Sequence, residues 1–534
     1  MNPVSEAHSA APTTSDEISQ PVTSRPQTHP NRLGAMARLF GIAAAEPAKA
    51  RVLQLGCGDG ANLLAMAEDH PQASFLGIEG SKTQVAKAQE AIAAAGVKNV
   101  EVRQQEIIDF PESAGRFDYI VVHGVFSWAP EPVREKILAI CETHLADNGI
   151  AYISYNALPG WNMRRSLRDM MLFHTREISE PQAKVGQARA LLSFLANSVP
   201  TEGSAYGMLL KNELAFLGNQ PDSFILGDLL AKENTPFYLH EFVGRAAKRG
   251  LQYLSEPTIA EMLTANFPEK VRETLAQLNN QLVAQEQYMD FLRNRAFRQT
   301  LLCRSGVSVN RNLASATLKQ FAFRSLIGAP TGPVELVPGI SVGFATAGGA
   351  QVASTDTLVK ALLWTLSETR GVSAVAYSDL LATCRARSRP FLGEAPADLD
   401  QLEENALLAN LLNLLSQGLI EIQIEPVKVR MEVPAKPAVS ALARHQAMSA
   451  RLITNRMHLP VPADLVSRFI IAACDGTRTP DEITAQLVER VGEGKLSVTE
   501  GSQKVTDRAK LQALLRRAVD TGLQALANAG FFAA

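Results

Sequence analysis

The sequence has 534 residues, a formal net charge of -2 and a hydrophobic fraction of 46%. This length suggests several domains, and the balanced charge argues against a dedicated nucleic-acid-binding protein, which would carry a basic excess. No apolar run predicts a membrane-spanning helix, and no basic segment followed by an apolar one predicts a signal peptide. The five cysteines are widely spaced and the histidines form no HExxH pattern. We therefore expect a cytoplasmic protein with no metal site and no inserted membrane segment.

The first half of the chain alternates between strand and helix patterns. Residues 1–30 are rich in Ser, Thr, Pro and Gln and predict a disordered tail, and a helix is predicted at Asn31–Phe40. The predicted strands are Arg51–Leu55, Ser74–Glu79, Val100–Arg103, Phe117–His123 and Ile150–Tyr155, and the helices between them are Ala61–Asp69, Lys82–Ala95 and Pro132–Leu145. This alternation predicts an α/β fold with a Rossmann-like parallel sheet.

Helical patterns interrupt this alternation after residue 160. Residues 161–235 predict a helical insertion, after which a helix at Phe237–Arg249 and a short strand at Leu251–Leu254 return the chain to the sheet. We therefore predict one α/β domain over residues 31–256. Residues 257–300 are predicted to form a helical connector, a regulatory region between this domain and the rest.

The second half predicts two smaller, mostly helical accessory domains. The stretch Gly328–Gly349 is rich in Gly and Pro and predicts a loop. The predicted elements after it are helices at Thr357–Glu368, Ala376–Ala386, Leu402–Gln417, Ala463–Cys474, Pro480–Val491 and Thr506–Ala529, with a strand at Leu419–Ile424. Spaced prolines make residues 425–439 an extended linker. This pattern predicts winged-helix-like domains at residues 301–424 and 440–534.

Three glycines follow the first predicted strand and precede a helix. Gly56, Gly58 and Gly60 satisfy the tight GxGxG pattern of S-adenosylmethionine (SAM) enzymes and nearly satisfy the dinucleotide pattern GxGxxG/A. Both ligands need glycines there, because the turn takes unusual φ angles and the backbone approaches the ligand closely. Glu79 ends the second strand, where a carboxylate can accept both ribose hydroxyls of either ligand.

The rest of the first domain favours SAM over NAD. No constellation suited to hydride transfer is visible, whereas the strand FDYIVV (117–122) and the later LADNGIAYISYN (145–156) are typical of class I methyltransferases. Glu106 and Ile107 stand where SAM enzymes contact adenine, although Glu106 also fits a surface acid. The residues predicted to bind SAM are Gln54, Gly56, Gly58, Asp59, Gly60, Glu79, Gly80, Glu106, Ile107, His123 and Gly124.

Longer motifs resemble one bacterial family. FDYIVVHGVFSW (117–128), ISYNALPGW (153–161) and NTPFYLHEFVGRAAKRGLQYLSEP (234–257) are similar to methyltransferases that carry a methyltransferase regulatory domain. That family includes rickettsial protein-lysine methyltransferases that act on an outer-membrane protein. The resemblance implies SAM as cofactor, accessory domains that hold a protein substrate, and transfer of methyl groups to lysine. Class I enzymes often have an acid where this chain has Gln54, which contributes no charge.

Aromatic and polar side chains follow the fourth and fifth predicted strands, where the methyl acceptor of such an enzyme would lie. We predict catalytic roles for His123, Trp128 and Tyr155, with His123 either a general base or an orienting group. The predicted substrate-binding residues are Phe126, Asn156, Trp161 and Arg164. The competing interpretation is that the aromatic residues are core packing, that His123 is structural and that Arg164 lies on a solvated helix face.

Two other functions fit the same residues. A small-molecule methyltransferase would bury its acceptor in a closed pocket under the 161–235 insertion. A non-catalytic SAM-binding regulatory protein would bind SAM and transfer nothing, and Gln54 in place of an acid is compatible with it. A protein substrate, including an envelope protein, is the partner that the family resemblance implies.

Overall fold

A computed structural model describes residues 23–278, 281–346, 348–349, 351–392, 396–500 and 503–534. Residues 1–22 of the predicted tail lie outside these described residues. The end of that tail is not disordered as predicted: Ser24 and Thr28 are fully buried, and His29 caps helix α1 (Pro30–Leu39) by accepting a hydrogen bond from the Asn31 amide. This segment gains order from distant parts of the chain, which composition alone does not reveal.

A seven-stranded sheet forms the centre of the first domain. Its strands are β1 (Arg51–Leu55), β2 (Ser74–Glu79), β3 (Val100–Gln104), β4 (Phe117–Val122), β5 (Leu145–Asn156), β6 (Leu251–Ser255) and β7 (Phe297–Arg304). They lie in the order β3-β2-β1-β4-β5-β7-β6, in which the five strands from β3 to β5 run parallel and β7 runs antiparallel to both neighbours. The apolar runs of β1 and β4 suit this position, because helices cover both faces of a parallel sheet.

Helices α2 (Ala61–Asp69), α3 (Lys82–Ala95) and α4 (Glu131–His144) connect the parallel strands. Local signals define their ends. The Ser81 hydroxyl accepts a hydrogen bond from the Gln84 amide at the start of α3, and Gly96 ends that helix at φ 68°. Such caps are encoded by residues within one turn of the helix, so these boundaries follow from the sequence.

The predicted helical insertion is confirmed. It contains α5 (Trp161–His174), α6 (Pro181–Ser198) and α7 (Ala205–Gly218), followed by one turn of π-helix at Ile225–Leu229. These helices have an apolar core of their own, separate from the two cores on the faces of the sheet. The chain then returns through α8 (Leu239–Ala247) to β6.

The predicted helical connector at 257–300 is wrong in part. It contains α9 (Glu269–Ala276) and α10 (Leu282–Arg293), but β7 begins inside it and is inserted between β5 and β6. The predicted boundary at residue 300 therefore cuts through a strand of the central sheet. Pairing with β5, more than a hundred residues earlier, and with β6 places β7, and local periodicity does not report that pairing.

The middle region is less independent than predicted. Strands Ile327–Pro330 and Val342–Thr346 lie at the two ends of the stretch predicted as a loop, and helices Thr357–Glu368, Tyr377–Ser388 and Leu399–Ser416 follow. Its apolar core is continuous with the core on the α1 side of the large sheet. Asn31 of α1 exchanges hydrogen bonds of 2.7 and 3.0 Å with the backbone of Glu425. The middle region is thus packed onto the first domain.

The C-terminal region has its own core, built from helices Ala441–Ser449, Leu465–Ala473, Pro480–Gly492 and Arg508–Asn528. Residues 425–439, predicted as a linker, are extended and touch this domain through the backbone of Val429 and Ala438. Within the described part of the chain, no helix is long and apolar enough to cross a membrane.

Candidate cofactor and acceptor sites

The glycine loop between β1 and α2 has the backbone that the sequence predicts. Gly56, Gly58 and Gly60 take φ angles of 70°, 58° and 74°, in the left-handed region that residues with a Cβ avoid. A Cβ on Gly56 would also lie 2.5 Å from Cγ2 of Val125, in the loop after β4. Asp59, one residue before the N-cap Gly60, accepts a hydrogen bond of 3.1 Å from the Ala61 amide at the start of α2.

Glu79 is fixed beside this loop. Its two carboxylate oxygens accept hydrogen bonds of 2.9 Å from the amides of Gly58 and Ser81. A carboxylate at the end of the second strand is the group that can accept ribose hydroxyls. The arrangement places an acceptor at the end of β2, next to backbone that a ligand can approach closely.

The structure brings three more predicted residues to the same edge of the sheet. A Cβ on Gly80 would lie 2.6 Å from Oε1 of Glu106, so these residues are immediate neighbours. Glu106 is exposed at the end of β3, and half-buried Ile107 packs against the core. An acceptor and an apolar side chain thus stand one strand beyond Glu79, which suits an adenine ring.

Gln54 is buried and points into a polar network instead of bulk solvent. Its Oε1 accepts a 3.1 Å hydrogen bond from Nδ2 of Asn62, a fully buried residue on α2. The same Nδ2 donates to Oγ1 of Thr28, while Oδ1 of Asn62 accepts from the Arg25 amide and lies 2.9 Å from Nε2 of His458. Sequence reasoning missed Asn62, Arg25 and His458, because 396 residues separate Asn62 from His458.

His123 lies at the end of β4 with Nδ1 2.9 Å from the hydroxyl of Tyr152. Burial and, to a smaller extent, the nearby charge of Arg25 together lower the pKa of His123 to about 3. A group with that pKa is neutral at physiological pH and too weak a base to take a proton from an amine. Of the two predicted roles, the geometry therefore favours orientation by hydrogen bonding. Gly124 next to it has φ 69°, and its amide donates to Oγ of Ser154.

Two predicted acceptor-site residues belong to the core. Phe126 and Tyr155 are fully buried in one aromatic cluster with Phe237 and Phe242, and Tyr155 stacks on Phe242 at 4.2 Å. The Tyr155 hydroxyl bonds to Oγ1 of Thr300. Neither side chain can touch a substrate, so the catalytic role predicted for Tyr155 and the binding role predicted for Phe126 are wrong. Both lie on the face of the sheet that α8 covers.

Trp161 and Arg164 also have structural roles. Trp161 is 2% exposed at the start of α5. Arg164 pairs with Glu213 of α7 at 3.1 Å and its guanidinium lies 4.2 Å from the ring centre of Phe216. The predicted substrate contacts of both are corrected: Arg164 holds two helices of the insertion together, and Trp161 anchors its first helix.

Trp128 and Asn156 do meet, around a carboxylate that the sequence analysis missed. Nε1 of Trp128 donates a 3.1 Å hydrogen bond to Oδ1 of Asp228, which lies in the π-helical turn. Asn156 bonds at 2.9 Å to Asn234, whose Nδ2 in turn donates to Asp228. Burial raises the pKa of Asp228 to about 6, against the opposing effect of Arg164. Single-turn π-helices often occur at functional sites, so the π-helical turn is the structural feature that points to Asp228.

The sheet order, the glycine turn and Glu79 together define a class I SAM-dependent methyltransferase. Family models match a methyltransferase domain at 47–193, a predicted methyltransferase regulatory domain at 221–304 and a PKMT C-terminal winged helix domain at 435–531. An uncharacterised protein of Rickettsia prowazekii, RP789, is 35% identical over 492 residues, covering 91% of this chain and 87% of its own length.

Solved structures of PKMT2 from Rickettsia typhi, alone and in complex with AdoHcy, match with a TM-score of 0.84 and 32% identity. The match covers 96% of this chain and 99% of PKMT2. The chain therefore belongs to the family of the rickettsial PKMT proteins, and SAM is its cofactor. Among the described residues, no group of three or more His, Cys, Asp or Glu side chains is arranged to hold a metal ion.

Proposed function

We propose that this protein is a protein-lysine N-methyltransferase. The observation that supports this most is the carboxylate of Asp228, which is bound to the half-buried indole of Trp128 at the carboxyl ends of β4 and β5. An ammonium group is attracted by a carboxylate and by an indole face. The aromatic and acidic character of this corner fits a lysine side chain better than an anionic metabolite.

SAM supplies an activated methyl group on a sulfonium. The acceptor must present a lone pair, so a lysine ammonium has to lose a proton before the C–N bond forms and the C–S bond breaks. Asp228 suits that task because a carboxylate with a pKa of about 6 is ionised at neutral pH and holds a proton better than an ordinary aspartate. Asn156 and Asn234 fix its position by hydrogen bonds.

The accessory regions fit a macromolecular substrate. They extend the chain well beyond the cofactor domain, and the protein aligns with PKMT2 over almost its whole length. The five cysteines are all buried and form no disulfide, which supports a reducing compartment. We therefore place the reaction in the cytoplasm, where an envelope protein would be modified before export.

The test is methyl transfer from labelled SAM to proteins of a soluble and an envelope extract. We expect a labelled protein band whose label maps to lysine by mass spectrometry and disappears with Gly58→Arg. Label confined to small metabolites would overturn the proposal in favour of a small-molecule methyltransferase. Intact AdoHcy binding with no transfer to any extract would instead identify a SAM-binding regulatory protein.

A further inference from the structure

A short segment at the start of the described chain connects the cofactor domain to the C-terminal domain. We call residues 24–29 the N-terminal strap. Oγ1 of Thr454, in the C-terminal domain, donates a 3.1 Å hydrogen bond to Oγ of Ser24. One residue on, the Arg25 amide donates a 2.7 Å hydrogen bond to Oδ1 of Asn62 on α2. The C-terminal domain thus binds the strap at Ser24, and the cofactor domain binds it at Arg25.

Asn62 is the point where the two domains and the strap meet. Its amide can donate two hydrogen bonds and accept two, and all four are made: to Gln54 and Thr28, and from Arg25 and His458. The Arg25 amide can only donate, so the acceptor oxygen of Asn62 faces it and His458 must donate through Nε2. The C-terminal domain therefore helps to hold the backbone at Arg25.

The Arg25 backbone lies close to Gln54, because the side chain of Asn62 bonds to both residues, and the Arg25 side chain acts electrostatically on groups in and after β4 and β5. These groups are His123 and Tyr152, which are hydrogen-bonded to each other. The side chain keeps accessible surface, yet desolvation by the surrounding protein lowers the pKa of its guanidinium. Both facts place it in a cleft that opens to solvent. No carboxylate in the described part of the chain forms an ion pair with it.

We infer that Arg25 binds the carboxylate of the methionine part of SAM, and that the C-terminal domain positions it there through the strap. A guanidinium matches a carboxylate with two parallel hydrogen bonds, and the cofactor is the carboxylate-bearing ligand of this cleft. The placement also explains Gln54. Its neutral amide is used to hold Asn62, while the charge that recognises the amino-acid part of the cofactor comes from Arg25.

The direct test compares two ligands by calorimetry: AdoHcy and its decarboxylated analogue, which keeps the amino group. The Arg25→Gln variant is expected to bind AdoHcy about tenfold to hundredfold more weakly, with unchanged affinity for the analogue. The control is Arg116→Gln, at an exposed arginine paired with Asp147 on the opposite edge of the sheet. Equal weakening of both ligands by Arg25→Gln, or no weakening of either, would overturn the assignment.

The role of the C-terminal domain is tested with Ser24→Ala and His458→Gln. Each weakens one link of the strap without touching the cleft, so we expect a few-fold loss of AdoHcy affinity and no loss for the decarboxylated analogue. Unfolding curves of each variant check that the fold is intact. Unchanged AdoHcy affinity in both folded variants would show that the C-terminal domain does not position Arg25. These readouts are binding constants, so they stand apart from the identity of the methyl acceptor.

Discussion

Two arginines near β5 illustrate two uses of a charge held against the sheet. Arg298, on β7, is fully buried and bonds to Asp290, Glu256 and Glu286 at 2.8 to 3.2 Å. Burial alone would raise the pKa of Glu256, but Arg298 and Arg295 together hold it below its ordinary value. Arg25, in the strap, pairs with no acid among the residues that the structure describes. Removing one member of a buried ion-pair cluster destabilises a fold, whereas an exposed guanidinium that pairs with no carboxylate among the described residues is suited to a ligand.

The largest expected effect is at the paired arginine. Arg298→Met would remove the cation shared by three buried carboxylates and leave Glu286 unpaired, although Arg295 stays beside Glu256 and Asp290. The free energy of unfolding should fall by about 3–5 kcal/mol. Denaturant unfolding measures this, with Arg116→Met as the exposed control, expected to change it by less than about 0.5 kcal/mol. A loss of similar size in Arg298→Met and Arg116→Met would mean that Arg298 has no special structural role, and its contrast with Arg25 would fail.

The glycine loop gives the next largest effect, on binding. Gly58→Arg places a Cβ at φ 58° beside Glu79 and should lower AdoHcy affinity by about 100-fold or more, because left-handed strain of ~1–2 kcal/mol adds to steric exclusion. The matched control is Gly96→Arg, which carries the same substitution at φ 68° on the C-cap of α3. That variant should lose some stability and keep its AdoHcy affinity. An equal loss of AdoHcy affinity in Gly58→Arg and Gly96→Arg would show that the effect comes from impaired folding.

Asp228 extends the comparison of the two arginines to a carboxylate. Its charge is buried and only partly compensated by the groups around it. Asp228→Asn should slow methyl transfer about 100-fold, since an amide cannot take a proton. Its stability should not fall, because the folded pKa of about 6 lies above 3.8 and ionisation above pH 6 opposes folding. The wild-type transfer rate should rise with pH through about 6, because only the ionised carboxylate of Asp228 can take a proton.

Two controls accompany that measurement. Asp222→Asn changes an exposed aspartate of the same insertion, paired with Arg189, and should leave the rate unchanged. Tyr155→Phe removes only the bond to Thr300, so it should cost about 1 kcal/mol of stability and no activity. A fast Asp228→Asn variant, or a slow Tyr155→Phe variant, would contradict the account of the acceptor corner.

The smallest effect concerns the junction that holds the strap. Burial lowers the pKa of His458 to about 3, so the unfolded chain takes up its proton near pH 6.5 while the folded chain does not. Stability from this group is therefore present above pH 6.5 and is lost as pH falls. His29 and His70 act in the same direction, whereas Asp69, with its pKa raised to about 6, and Glu425, whose pKa is also raised, oppose it.

Comparing the wild type with His458→Gln isolates that histidine. The stability advantage of the wild type should shrink by about 1 kcal/mol between about pH 7.5 and about pH 5.5, within the limit of 1.4 kcal/mol per pH unit. Chemical unfolding at both pH values gives this difference. An advantage that stays constant or grows on acidification would mean that His458 is not held neutral in the junction.

Local signals explain which elements were predictable. Strands β1 and β2 and helices α2 and α3 occupy the predicted residues, because apolar runs, caps and turn glycines all act within a few residues. The SAM loop and Glu79 followed from the same short stretches. Strands Ile327–Pro330 and Val342–Thr346 were missed since Gly and Pro dominate their surroundings, and only their pairing makes them strands.

The remaining parts of the site depend on contacts that no local pattern records. Arg25 lies in a segment whose composition predicts disorder, and its position depends on Asn62 and on Thr454, 430 residues beyond Ser24. Asp228 is an isolated acid in an apolar helical stretch, and only folding brings it to Trp128. Tyr155 shows the converse error: the end of β5 was located correctly, but the face it presents was not.

The most direct test of the contrast between the two arginines measures stability and AdoHcy affinity together on Arg25→Gln and Arg298→Gln. We expect opposite effects of the two substitutions. Arg25→Gln should keep the wild-type unfolding free energy and lose AdoHcy affinity, whereas Arg298→Gln should lose stability and, while folded, bind AdoHcy as the wild type does. Loss of stability without loss of affinity in Arg25→Gln would contradict it, and would make Arg25 a second structural arginine.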